Sequence, residues 1–445
     1  MITESGVQRV AARIDHRPVS ARQWLTIALC GLVMLFDGFD IQSISFMTPY
    51  IAGDWHLSRA VLGPIFSASM VGLMAGYLLL SPLSDRFGHK RMIAYSTLGF
   101  ALTTLASVLV HDVPSLMILR LLTGVGLGAA TPSAVALTGE YSPRRFRASF
   151  VLAIYCGFSL GFVVAGLAAG WLIPTFGWRS MFLAGAVLPL IVTPFLFGLL
   201  PDAITTLLKP GTDVRVALST LRKIDPSLVE RDLVDMASSS QGSAHTPLRS
   251  LFAGGMAYGT VLLWFVFLIN LGEFYAVQSW LPTILTGFHY PIGIVVAATN
   301  LMIVGGIVAA CIVGPAMDRI HPYHTLAVLY GAGFVFTAMV GAAFQTSIPF
   351  LLSATFLSGI CISGGQKSVI ALSAVFYPDQ IRSTCVGWAL GIGRLGGIFS
   401  PLIVGAALAH GLEPRTVFYV LAAPLLAMAA AIILMGRQYS HDRAR

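Results

Sequence analysis

Asp37 and Asp40 stand three residues apart in the stretch Leu35-Phe-Asp37-Gly38-Phe39-Asp40-Ile-Gln-Ser43, inside an apolar run that opens at Trp24 and closes near Thr48. On a helix that spacing puts both carboxyls on nearly the same face. Asp37 lies ~20 Å along the helix from Trp24, which is mid-depth if the run crosses a bilayer. Facing lipid, each acid would cost roughly 2.5–3.5 kcal/mol, so both are expected to face a polar cavity. Two carboxylates this close resist being ionised together, and a carboxyl that carries a proton at working pH is what proton coupling requires. The plainer alternative is a structural ion pair with Arg120.

Three cations also fall within apolar runs: Arg120, Lys367 and Arg394. They read first as receptors for an anion. Arg120 offers a planar fork that matches a carboxylate, whereas lysine is a point charge. Arg394 has a structural role as its alternative. Glu273 is unexpected in Asn270-Leu-Gly-Glu273-Phe274-Tyr275-Ala-Val-Gln278-Ser-Trp280; it either pairs with Lys367 or joins it in contacting a ligand. Phe39, Tyr275 and Trp280 flank these ionisable groups, with Gln278 among them. A ligand ring could stack there while an arginine holds its carboxylate, packing being each ring's alternative role. No nucleophile sits beside a base, no spacing suits a metal, and no phosphate-binding loop is present, so neither an enzyme nor a cofactor is expected. His321-Pro-Tyr-His324 reads as a solvated loop pair, and the five cysteines as small buried packing residues.

What could position these groups? Of 445 residues, 56% are hydrophobic and 10% charged, and the mean hydropathy is +0.82. A soluble chain keeps about a quarter of its residues charged. Runs of about 20 apolar residues, enough to cross hydrocarbon, recur along the chain. They fall near 24–47, 60–81, 92–110, 114–138, 148–172 and 178–200, then near 256–285, 292–316, 323–343, 348–373, 383–409 and 415–436. They are continuously apolar and do not alternate, which predicts helices and excludes a barrel. The expected organisation is a tail (1–23), a six-helix bundle (24–200), a linker (201–255) with a surface helix around 212–236, a second bundle (256–436) and a tail (437–445). The net charge of +8 follows topology and does not imply nucleic acid. With the N-terminus inside, 21 of the 27 Lys and Arg lie on cytoplasmic segments, and only Arg59, Arg179 and Arg415 lie opposite. Both termini are thereby expected in the cytoplasm.

The two halves repeat. Pro82-Leu-Ser-Asp85-Arg86 corresponds to Pro315-Ala-Met-Asp318-Arg319, Leu122-Thr-Gly124 to Leu357-Ser-Gly359, and Pro143 with Arg147 to Pro378 with Arg382. A duplicated six-helix unit in one orientation is a transporter design. On these motifs the whole chain resembles the major facilitator superfamily. Ser81-Pro-Leu-Ser-Asp85-Arg86-Phe-Gly88-His-Lys90-Arg91 is similar to its loop motif, with Ser81 replacing the first glycine, which Gly314 keeps in the second copy. Carboxylates beside helix ends with arginine neighbours can lock one conformer. Asp85, Arg86, Arg91, Glu140, Arg147, Asp318 and Arg319 are the expected gating residues.

Asp-Gly-x-Asp in the first span narrows the resemblance to the aromatic acid:proton symporter family. Arg120-Leu-Leu-Thr-Gly124-Val-Gly126-Leu-Gly128, Glu140-Tyr-Ser-Pro143, Ser279-Trp280-Leu-Pro282 and Gly387-Trp-Ala-Leu-Gly391-Ile-Gly393-Arg394-Leu-Gly396 also fit. Lys367 and Glu273 fall outside the pattern. The glycines of the fourth span are expected to serve close helix packing. The fifth span lacks the Gly-Pro pair of drug antiporters, which counts against export. The resemblance implies an all-α fold of twelve transmembrane helices in two six-helix bundles, working as a monomer in the inner membrane. It implies a proton-driven importer of small aromatic carboxylates, with Asp37 and Asp40 as the transport-essential acids and Arg120 and Arg394 as buried cations. A symporter of another organic anion, such as a dicarboxylate or sugar acid, and a non-transporting receptor of the same fold stay open.

Overall fold

The computed structural model describes residues 18–80, 83–84, 87–143, 146–207, 214–222, 255–377 and 382–439, with the single positions Asp15 and Phe252. Among these residues there is no strand, and twelve helices are long and apolar enough to cross a membrane. In hydrocarbon every backbone N–H and C=O must be satisfied within its own segment, and the helix achieves this locally. The first six are α1 (Ala21–Asp54), α2 (Arg59–Ala75, ending in a wider π turn at Gly76–Leu80), α3 (His89–Ala106), α4 (Val113–Tyr141), α5 (Arg147–Phe176) and α6 (Arg179–Leu199). The second six are α7 (Ala257–Gly287), α8 (Ile292–Arg319), α9 (Pro322–Ala343), α10 (Ile348–Phe376), α11 (Arg382–Ala409) and α12 (Pro414–Tyr439).

Most helices match the apolar runs to within a few residues. α1 differs, continuing through Pro49 to Asp54, because a helix once formed outlasts the apolar stretch that places it. Of the expected linker helix, Val214–Leu221 is helical, a shorter helix covers Ile204–Leu207, and residues 223–250 lie outside the described residues. His324 belongs to the first turn of α9 and not to a loop, its ring 5.2 Å from that of His321. Cys30, Cys361 and Cys385 are buried, but Cys156 is exposed, a thiol on an outward helix face rather than in packing. Gly88 adopts φ 90°, a left-handed conformation that glycine takes without steric cost, and α3 starts at the next residue.

The chain forms two compact units. The first gathers Met1–Asp40, Val71–Gly161 and Phe182–Ala244. Its helices approach closely through glycines. A Cβ at Gly126 would meet Phe100 and Ser96 of α3, and one at Gly128 would meet Leu73 and Gly76 of α2. Gly161 of α5 lies against the backbone of Leu35, Gly38 and Phe39 of α1. The glycine pattern of α4 is a packing device. Ile27, Cys30, Met34, Ala134, Leu137 and Tyr141 pack together in a buried hydrophobic core of this unit.

The second unit gathers Ile41–Met70, Phe162–Met181 and His245–Arg445. Within it α8 packs on α10, α7 on α11 and α9 on α12, again through small residues such as Gly272 against Gly396 and Gly359 against Met302. Its portions of α1, α2 and α5 are tied to the later helices. Gln278 Nε2 donates to Gln42 Oε1 at 2.7 Å, Ser67 Oγ to the Ile398 carbonyl at 2.7 Å, and Asn300 Nδ2 to the Val163 carbonyl at 3.2 Å.

Candidate functional site

In the first unit Arg120 is completely buried and Asp40 is 4% exposed. α4 carries the arginine inward on the face that also bears Thr123, and α1 carries the aspartate. Arg120 Nη1 donates to both oxygens of Asp40, each at 3.0 Å. Nη2 donates to the hydroxyls of Thr104 and Thr123 at 3.3 Å. Thr104 in turn donates to Asp40 Oδ1 at 3.4 Å. The guanidinium carbon lies 5.0 Å from the centre of the Phe182 ring, close enough for a cation–π contact. Burying two charges costs several kcal/mol per ion and is tolerable only with good pairing and additional hydrogen bonds. The two threonines supply those bonds. Arg120 Nε has no hydrogen-bond partner among the described residues, so the guanidinium keeps an unused donor.

Asp37, 3% exposed, accepts a 2.7 Å hydrogen bond from Thr131 of α4. One turn of α1 thus presents two acids to α4, one on a cation and one on a hydroxyl. Phe39 is buried against Gly185 of α6.

The second unit holds the other expected residues. On α7, Glu273, Tyr275, Gln278 and Trp280 are all buried. Glu273 Oε2 has no partner among the described residues, Tyr275 packs on Gly397, and Trp280 Nε1 donates to the Pro401 carbonyl at 3.1 Å. Lys367, half-buried on α10, donates to the Gly306 carbonyl of α8 at 3.2 Å. Arg394 is half-buried on α11.

Of the expected gating residues, Asp85 and Arg86, and the side chain of Asp318, lie outside the described residues, while Arg91, Arg147 and Arg319 are exposed. Glu140 accepts hydrogen bonds from Thr205 Oγ1 at 2.6 Å and Thr205 N at 3.3 Å, at the start of the short helix Ile204–Leu207. The sequence reading missed Thr104, Thr123, Thr131 and Gln42. The available signal was hydroxyl and amide groups inside apolar helices near ionisable residues, but such groups also occur where they bond only their own helix. Among the described residues no group of three or more His, Cys, Asp or Glu could hold a metal.

A charged pair sealed among apolar spanning helices belongs to the class of helical membrane transporters. The family model for the Major Facilitator Superfamily matches residues 30–343 and 301–444. The gallate transporter of Pseudomonas putida is 38% identical over 97% of this chain and 95% of its own length. The 4-hydroxybenzoate transporter PcaK of Acinetobacter baylyi is 36% identical over 95% of this chain and 93% of its own. Among solved structures, the inward-open xylose transporter XylE of E. coli superposes with a TM-score of 0.72 at 16% identity, covering 92% of this chain and 95% of that one. The chain belongs to the major facilitator superfamily and is a multi-pass membrane transporter, not an enzyme.

Proposed function

We propose that this transporter imports small aromatic carboxylates, such as benzoate or hydroxybenzoate derivatives, together with protons, by alternating access across the inner membrane. The observation that carries the reading is the Arg120–Asp40 pair, a buried cation whose fork is held by an ionisable partner. The substrate carboxylate and Asp40 compete for one guanidinium. When Asp40 takes a proton its hold on Arg120 weakens, and the fork is free to bind the incoming carboxylate in two-point fashion. Release of substrate lets Asp40 ionise and reclaim the arginine. Asp37, one turn away, is the second proton-carrying acid. Lys367, Arg394, Glu273, Gln278, Phe39, Tyr275 and Trp280 are proposed to meet the substrate during the cycle. Asp85, Arg86, Arg91, Glu140, Arg147, Asp318 and Arg319 are proposed to stabilise alternate conformers. The choice of aromatic acids is supported by the relatives named above as gallate and 4-hydroxybenzoate transporters.

The test is accumulation of labelled benzoate, 4-hydroxybenzoate and gallate in vesicles under an imposed pH gradient. A dicarboxylate and a sugar acid serve as comparison. Concentrative uptake of the aromatic acids alone is the expected result. Uptake of the aliphatic acids in their place would transfer the site to another organic anion, and accumulation of none would leave a receptor.

A further inference from the structure

Gln23, in the first turn of α1, meets the last residue of α4. Its Nε2 donates to the Tyr141 carbonyl at 2.7 Å, with Gln23 1% exposed and Tyr141 completely buried. The last four carbonyls of a helix find no partner within it, and Gln23 supplies one for the final residue of α4. Gln23 is itself fixed, because it is half of a capping box. Its Oε1 accepts from Ser20 N at 2.8 Å and from Ser20 Oγ at 3.0 Å, and Ser20 Oγ accepts from Gln23 N at 3.3 Å. Tyr141 is held from its other side. The tyrosine hydroxyl donates to the Asp202 carbonyl at 2.6 Å, three residues before the Thr205 that Glu140 binds. Ile204 and Leu207 of that short helix join Ile27, Leu137 and Tyr141 in one buried core. All of these residues belong to the first unit.

Polar contacts thus join α1 and α4 at three depths: Gln23 on Tyr141, Asp37 on Thr131, and Asp40 on Arg120. The first lies ~21 Å along α1 from Asp37, at 1.5 Å per residue. It also differs in chemistry. An amide N–H on a backbone carbonyl holds no titratable group, whereas each of the other two uses an aspartate carboxyl. Glu140, Asp202 and Arg22 are charged residues close enough to act on the Tyr141 ring, and none supplies an atom of the Gln23 bond. We propose that the Gln23–Tyr141 contact is the fixed point about which α1 swings against α4 when the buried acids take protons. Gln23 is then a positioning residue for transport. A proton on Asp40 removes the charge facing Arg120, and one on Asp37 changes the acceptor of Thr131. Neither event touches the amide contact. Held at one depth and loosened at another, the helix turns and does not slide. The inference rests on Asp37 and Asp40 being the proton-carrying acids.

Hydrogen exchange of the full chain in lipid nanodiscs tests it. Asp37→Asn combined with Asp40→Asn stands in for the protonated acids. In that protein the amides of residues 35–43 should exchange faster than in the parent, while those of 25–31 and 135–141 keep the parent's rates. Adding Gln23→Glu preserves the capping box, which takes either side chain, but removes the donated N–H. Exchange at 25–31 and 135–141 should then rise by about threefold to tenfold, the range one neutral hydrogen bond carries. Tyr141→Phe frees the ring from Asp202 without altering the backbone carbonyl and should give a smaller rise. In the otherwise unaltered protein, Gln23→Glu should slow maximal uptake of 4-hydroxybenzoate and leave KM near the parent's, because Arg120 keeps its fork. If the acid variants fold poorly, the parent at pH 8 and pH 5, corrected for intrinsic exchange rates, gives the same comparison. Uniform acceleration along α1, or none at 35–43, would overturn the pivot, as would exchange and uptake indifferent to Gln23→Glu. Uptake by the parent that ignores a pH gradient would instead sink the proton coupling, and the exchange pattern would still decide the pivot.

Discussion

Arg120 has three uses for its donors, Asp40, Thr104 and Thr123, and removing any one leaves a buried group short of a partner. Breaking a buried pair from one side typically costs about 3–5 kcal/mol, because the charge left behind stays desolvated. Arg120→Gln and Asp40→Asn should therefore each lower the thermal stability of the purified protein. The double variant should recover much of that loss without recovering uptake. A cycle in which the two effects simply add would mean the pair is not coupled. Asp37 accepts a hydrogen bond from the Thr131 hydroxyl, which an amide oxygen can accept as well, so Asp37→Asn is expected to leave stability near the parent's and to abolish uphill uptake. Asp40→Asn should impair uptake strongly. Neutral variants that both accumulate 4-hydroxybenzoate like the parent would refute the coupling role. Arg120→Lys keeps the charge but loses the fork, and should weaken equilibrium binding of 4-hydroxybenzoate by at least ~1.5 kcal/mol. Unchanged affinity there, with a large loss in Lys367→Arg, would shift the receptor role to α10.

At the scale of elements, the position of Asp37 and Asp40 depends on how closely α5 can approach α1. Gly161 makes that approach possible, since any Cβ there would intrude on the backbone of Leu35, Gly38 and Phe39. Gly161→Ala should push the helices apart, costing about 1–3 kcal/mol as overpacking does, and should reduce uptake along with stability. Gly391 of α11 provides the contrast. It is exposed, and an added Cβ meets nothing within 4 Å. Gly391→Ala should be neutral or stabilising by up to about 1 kcal/mol, the helix propensity difference. Denaturation midpoints of the two variants in one detergent check the pair, and equal midpoints would show that the close approach does not matter.

For the whole molecule, the proposed coupling ion is the proton. The buried acids are paired with an arginine and a threonine, and sodium would need a cage of several oxygens in their place. Uptake in vesicles should collapse on adding a protonophore and be indifferent to replacing sodium with potassium at constant pH. Strict sodium dependence would exclude the proposed mechanism. The two compact units share α1, which passes from one to the other between Asp40 and Ile41. On the proposed mechanism, a proton on Asp40 alters the contact that joins α1 to α4.

The residues themselves determined a great deal here. Twelve spans and an all-helical fold were legible because hydrocarbon demands long apolar runs whose backbone is satisfied locally, a requirement each segment meets without reference to the others. The relation between the two halves was legible in matched motifs, and the buried acids and cations stood out because charge is rare in such runs. Pairing was a different matter. That Arg120 meets Asp40 while Asp37 meets Thr131 depends on the depth and rotation of α4 against α1, which glycine contacts between helices decide and no local pattern encodes. The threonines that make the pair tolerable look like ordinary hydroxyls in sequence. Gln23 and Tyr141, 118 positions apart in the chain, share a hydrogen bond only because α1 begins where α4 ends. Composition dictates which elements form in a membrane, and only packing decides which side chains those elements bring within a hydrogen bond of one another.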